Sequence, residues 1–128
     1  MRVWGRRISG TGEVMQWGYT CSSEEFEASD LVRFAEAAED AGFSFVTVSD
    51  HFHPWTSSQG HSPYVWTTLG GIGAQTREVR LGTGVSCPLV RQHPTIVAQA
   101  AATVSELTGG RFFLGVGTGE ALNEHITG

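Results

Sequence analysis

The sequence predicts an α/β protein built on a parallel sheet. Short β-branched and aromatic runs alternate with helical patterns, and the runs begin near residues 16, 43, 79 and 111. That spacing, roughly thirty residues, is the length of a strand with its crossover helix. Four units in series with right-handed crossovers form either half of an eight-stranded barrel or most of a small doubly wound sheet. At 128 residues the chain is one domain at most, well short of the ~250 of a complete (α/β)8 barrel.

Residues 1–15 are polar and without period, so they read as a loose extension, with Met15 as a possible initiator, and residues 16–128 as the folded unit. "QWGYTC" is the first strand. Ser29 reads as the N-cap of a helix over 30–41, where Leu31, Phe34, Ala35 and Ala38 share one face and Gly42 marks the stop. "FSFVTVSD" reads as a strand buried on both faces, ending at Asp50. A helix follows over 64–75 despite Gly70-Gly71, and then the strand "VRLGTGVSC". Pro94 suits a first helical position, and Ile96, Val97, Ala100, Ala101, Val104 and Leu107 form an apolar stripe ended by Gly109-Gly110. "RFFLGVG" is the fourth strand.

Composition removes several function classes. All eight basic residues are arginines, so a lysine Schiff base and a phosphate loop with its own lysine are excluded. The net charge of −5 opposes a nucleic-acid partner. No apolar run approaches the ~18 residues of a spanning helix and Arg6-Arg7 lacks a following apolar stretch, so the expectation is a cytoplasmic protein without a membrane partner. Cys21 and Cys87 read as small buried thiols.

The unusual residues gather at the carboxyl ends of the four strands: Glu24, the segment 50–55, the segment 84–88 and the segment 117–123. In parallel α/β architectures these ends form one mouth. His51, beside Asp50, suits a general base, although a turn histidine is about as common. Trp55 suits a pocket wall, though a loop tryptophan more often packs. Gly117 and Gly119 allow close backbone approach to a ligand, and Glu120 after them is either an acid or an ordinary first-turn glutamate. Glu24 and Asn123 are equally open. His51 and His53 at alternate positions support a rival, a metal-dependent barrel hydrolase, but no further ligand stands at the ends of the third and fourth strands, and no metal site is assigned.

Taken together, "GYTCSSEEF", "VSDHFHPW", "GHSPYVW", "LGTGVSCP", "HPTIVAQAAAT" and "RFFLGVGTGEALNEH" resemble the F420-dependent glucose-6-phosphate dehydrogenase group of the luciferase-like superfamily over residues 16–128. The resemblance implies the first half of a TIM (α/β)8 barrel, with coenzyme F420 in its mouth accepting hydride from the anomeric or carbinol carbon of a substrate. Glucose 6-phosphate is the default substrate. Alternatives are secondary alcohols or hydroxy-lipids, or FMN-dependent monooxygenation in more distant relatives. Carried over by motif, His51 is the base, Glu120 the acid, and Trp55 and Glu24 line and polarise the reacting centre. Asp50, Gly84, Val85, Gly117, Thr118, Gly119 and Asn123 contact the cofactor, with a non-proline cis peptide at Gly84-Val85. The resemblance also implies a homodimer for the full-length protein, with the phosphate-gripping residues in the second barrel half.

Overall fold

The structure is a computed structural model and describes residues 15–128. Four parallel strands lie in the order β1-β2-β3-β4, where β1 is Gly18–Cys21, β2 Phe45–Val48, β3 Arg80–Thr83 and β4 Phe112–Phe113. Between them run α1 (Ala28–Asp40), α2 (Val65–Gln75) and α3 (Pro94–Leu107), and a short α4 (Ala121–Glu124) follows β4. This is the α/β alternation expected, and it forms a continuous sheet with the strands in chain order, as in half of an (α/β)8 barrel. The proposed extension lies, except for Met15, outside the described residues.

The register Tyr19↔Val46↔Leu81↔Phe112 sets one face of the sheet against the helices. Cys21, Val46, Val48 and Leu81 are fully buried there against Leu31 and Ala35 of α1 and Leu69 and Ile72 of α2. The expectation that the second strand is buried on both faces is corrected: Phe45 and Thr47 are only half-buried, because the helices cover one side of the sheet. On the other side large and small residues alternate. The Phe45 and Phe113 rings meet edge-on at 6.1 Å, and a Cβ at Gly82 would come within 2.6 Å of the Phe113 ring. The glycines make room for the rings.

Other boundaries move for local reasons. Helix α1 starts at Ala28, since the Glu27 carbonyl already accepts from the amides of Asp30 at 3.0 Å and Leu31 at 3.1 Å; Ser29 is therefore an exposed first-turn residue and not the cap. Gly42 does end the helix region, at φ 87°. In α2, glycine permits close approach: a Cβ at Gly73 would lie 2.5 Å from the Thr108 methyl. The α3 stripe is wider than its buried face. Val97 and Val104 are buried, whereas Ile96 and Leu107 are 52% and 70% exposed beside α2.

The fourth strand is far shorter than the run "RFFLGVG" suggests. At the Gly84-Val85 segment, whose peptide bond is cis, the strands part, and the buried Thr83 hydroxyl donates to the Gly115 carbonyl at 2.7 Å and accepts from the Gly115 amide at 3.0 Å. Pairing resumes beyond it, where Ser86 N–H donates to Gly115 O and Gly117 N–H to Ser86 O, each at 2.9 Å. At the amino-terminal end of the sheet, the Arg111 guanidinium donates five hydrogen bonds, to Thr108 O, the Thr76 hydroxyl, Val79 O, Gly73 O and Thr76 O. Glu39 accepts there from the amides of Arg77, Glu78 and Val79.

Thr83→Val keeps the shape of the side chain and leaves the Gly115 amide and carbonyl without it, so urea titration should show a loss of roughly 1–3 kcal/mol. Arg111→Lys offers three donors on a stem that lacks the planar fork. It should lower the unfolding midpoint in the same titration by more than Arg33→Lys, whose guanidinium only pairs with Asp30 on the surface of α1.

Candidate active site

The parallel register delivers every strand's carboxyl end to one edge of the sheet, and a cleft of about 220 Å³ opens there. Its lining is His51 from beyond β2, Val85 and Cys87 from beyond β3, and Gly117, Thr118, Gly119 and Glu120 from beyond β4. Six sequence-selected residues thus line one wall system. The others stand around it. Trp55 packs edge-on against the His51 ring with centroids 4.8 Å apart and is half exposed. Glu24 lies behind the imidazole and is bonded to its Nδ1.

Glu24 is only 4% exposed, which is costly for a carboxylate unless its lone pairs are met. They are met by hydroxyls and the ring. Ser22 donates to Oε2 at 3.0 Å, Ser49 to Oε2 at 2.9 Å and Ser23 to Oε1 at 3.2 Å, while Nδ1 of His51 takes Oε1. Burial alone would raise the carboxyl, but these hydrogen bonds outweigh it and hold it down at about 2, against an ordinary 4.5. The imidazole moves the other way. The hydrogen bond to Glu24 raises His51 above 6.5, burial opposes this, and the charges of Glu24, Glu120 and Asp50 add to the rise. With Nδ1 taken, Nε2 is the ring nitrogen left for chemistry in the cleft.

Asn123 ties the second and fourth strand ends together. Its side-chain oxygen accepts from the Phe52 amide at 2.5 Å and the His53 amide at 2.8 Å, and its side-chain nitrogen donates to Glu120 Oε1. Glu120 therefore keeps Oε2 free of that bond. A following helix with amides presented to an anion is not what forms, since α4 has four residues and Glu124 turns back beneath Gly119. Gly119 has φ 81°, a conformation that needs glycine.

Asp50 sits differently from the cleft-lining residues. It is 5% exposed, with Oδ2 bonded to the Ser86 hydroxyl at 2.5 Å and Oδ1 to Arg91 Nη2 at 2.5 Å. Gly84 likewise does not line the cleft and packs over Thr47. Sequence reasoning did not select Ser22, Ser23, Ser49, Ser86 or Arg91; a serine at each strand end beside a candidate carboxylate was the available signal. Of the two thiols, Cys21 is fully buried and pushed up to about 12 by burial, while Cys87 borders the cleft. His53 is exposed, its ring against Phe52 at 5.3 Å, and among the described residues no group of three His, Cys, Asp or Glu could hold a metal. The hydrolase reading gains nothing from this arrangement.

The chain is 50% identical over 107 residues to an F420-dependent hydroxymycolic acid dehydrogenase of Mycobacterium tuberculosis, covering 84% of this chain and 30% of that protein. It is 50% identical over 111 residues to an F420-dependent glucose-6-phosphate dehydrogenase of Segniliparus rotundus, covering 87% of this chain and 33% of that one. A solved F420-dependent secondary alcohol dehydrogenase in complex with an F420-acetone adduct matches with a TM-score of 0.82 and 40% identity, over 85% of this chain and 33% of that chain. The chain thus spans about a third of the length of the relatives it matches. The profile of the luciferase-like monooxygenase family matches residues 9–128, and the chain belongs to that family.

Proposed function

We propose that the whole protein of which these residues form part is an F420-dependent dehydrogenase that oxidises a carbinol or anomeric carbon. The observation that carries this is the cleft itself: a strand-end imidazole on a buried carboxylate faces a second carboxylate across a floor of glycines. A flat ring suits that floor. A Cβ at Gly117 would come within 2.7 Å of Val85 Cγ2, so glycine keeps the space open, and Val85 stands 43% exposed as an apolar backing. Val85, Gly117, Thr118 and Gly119 would hold the ring, with Asn123 fixing the loop beneath. When bound, a deazaflavin accepts the hydride that leaves the donor carbon.

His51 Nε2 takes the hydroxyl proton as the carbon–oxygen bond becomes a double bond. Glu24 holds Nδ1 so that the basic lone pair points into the cleft and stabilises the imidazolium that forms. Glu120, held at Oε1 by Asn123, relays a proton into the cleft. Trp55, edge-on to the imidazole, shields it from water. The donor's reacting carbon is what these residues address, since the segment is as similar to a hydroxymycolic acid dehydrogenase as to a glucose-6-phosphate dehydrogenase, at 50% each. Glucose 6-phosphate, hydroxy-lipids and secondary alcohols all fit that class.

The same proposal includes a homodimer, supported by the exposed Ile96 and Leu107 beside a groove between α2 and α3, and a cytoplasmic location; among the described residues no helix is long and apolar enough to cross a membrane. Sedimentation of the whole protein as a monomer would remove the first.

His51→Ala should lower kcat by about 10²–10⁴-fold while oxidised F420 still binds in an absorbance titration; an unchanged rate of F420 reduction would remove the base. The base acts only when neutral, so the acid limb of kcat/KM should lie above pH 6.5, and Glu24→Gln should move it downward by removing the charged acceptor that raises His51. Stability follows a signed window. Glu24 stabilises the fold above pH 4.5 and loses this as pH falls toward about 2; His51 stabilises below pH 6.5 and loses this as pH rises through its raised value. The stability difference between the native protein and Glu24→Gln, followed by thermal melting, should therefore be greatest between pH 4.5 and 6.5.

A further inference from the structure

Arg91, in the connection from β3 to α3, is not part of the proposed chemistry, yet its side chain is only 11% exposed. It reaches across to the end of β2. Its Nη2 donates to Asp50 Oδ1 at 2.5 Å and to the Asp50 backbone carbonyl at 3.2 Å. From the other side the Ser86 hydroxyl donates to Asp50 Oδ2 at 2.5 Å. Asp50 immediately precedes His51, so both the backbone and the carboxylate next to the imidazole are held by groups arriving from beyond the third strand. A guanidinium so committed has a reason, because a buried carboxylate left unpaired at that point would be strongly destabilising.

Charge around the imidazole sharpens the role. Glu24 reaches it from the β1–α1 connection, Asp50 from its own segment, and Glu120 from the loop before α4. Cys87, bordering the same cleft beyond β3, has a thiol raised by burial and stays neutral near pH 7. His53, two residues along, is exposed. Against three carboxylates the structure sets one arginine on Asp50, and among the described residues no other arginine pairs with a carboxylate at this end of the sheet.

We infer that Arg91 is a positioning residue of the cleft: by clamping Asp50 it fixes the segment that carries His51 and cancels one of the three negative charges that surround the imidazole. Without it the ring sits in a more negative field and holds its proton to higher pH, so less of it is free to act as a base at neutrality. The effect on turnover rests on the reading of His51 as the base; the effect on the ring's titration does not.

The test uses the whole protein and reads two quantities in each variant: the titration midpoint of the His51 imidazole by NMR without substrate, and the pH profile of kcat/KM for F420 reduction. Arg91→Gln should raise the midpoint by about one pH unit and lower the rate at pH 7 by up to about tenfold, with the acid limb moving by the same amount as the midpoint. Arg91→Lys should recover most of the midpoint, and adding Asp50→Asn to Arg91→Gln should return it. Asp50→Asn alone, nearly identical in shape, should lower the midpoint and carries the test if Arg91→Gln fails to fold. An unmoved midpoint in a folded Arg91→Gln or in Asp50→Asn overturns the inference, as does a lost rate at an unmoved midpoint. A moved midpoint that the acid limb ignores supports the role of Arg91 and instead sinks His51 as the base.

Discussion

The parallel ladder from β1 to β4 is the constraint on which the rest depends. Because Thr20, Thr47, Gly82 and Phe113 stand in one row of the register, the chain leaves every strand at nearly the same level, and Glu24, His51, Val85 and Glu120 meet although they span about three quarters of the sequence. No single local contact could gather them. The opposite end of the sheet is where the ladder is anchored, by Arg111 across Gly73, Thr76, Val79 and Thr108 and by Glu39 on three consecutive amides. The contacts of Arg111 and Glu39 thus lie at one end of the sheet and the candidate site at the other, the usual division in this architecture.

At the reactive end the fold accepts buried charge and manages it with hydroxyls. An isolated carboxylate as covered as Glu24 would take up a proton. Three serines and an imidazole keep it ionised, and the residues that supply them, Ser22, Ser23, Ser49 and His51, come from two adjacent strand ends. The Ser23 amide also donates to the Ser49 hydroxyl at 3.0 Å, which locks the two ends together. The orientation of the imidazole is thus a property of the β1–β2 junction, and Asn123 extends the same logic to the β4 end by satisfying two amides of the His51 loop.

Much of this was legible in the sequence, for identifiable reasons. The strand spacing, the Pro94 helix start and the Gly42 stop are governed by local backbone chemistry, and the structure agrees with them. Three features came out differently, one through a near neighbour and two through partners distant in sequence. Ser29 has every local attribute of a cap, but Glu27 starts the turn first. The run after Arg111 has strand composition throughout, but its pairing partner departs at Gly84 and the Thr83 hydroxyl takes over. Phe45 and Thr47 carry the β-branched or aromatic character of a strand buried on both faces, and whether the second face is covered depends on the layers around the sheet and not on the strand. Arg91 illustrates the same limit at the site, since nothing in "PLVRQHP" announces a reach to Asp50.

The placement of arginines bears on which part of a donor this segment reads. Arg80 lies over the Phe113 ring at 5.2 Å, Arg111 is bonded at the amino-terminal end of the sheet, Arg33 pairs with Asp30 on α1, and Arg91 is committed to Asp50. No arginine or lysine is among the residues lining the cleft. On the proposed reading a phosphorylated donor would meet His51, Glu120 and the apolar Val85 here, but its phosphate would need a cation from outside residues 15–128, because an anion placed near Glu24, Asp50 and Glu120 without one would be repelled. A lipid or simple alcohol makes no such demand. The segment is 50% identical both to a relative named for a sugar phosphate and to one named for a hydroxymycolic acid, which fits the proposal that the groups handling the carbinol lie here and those choosing the remainder of the molecule lie elsewhere.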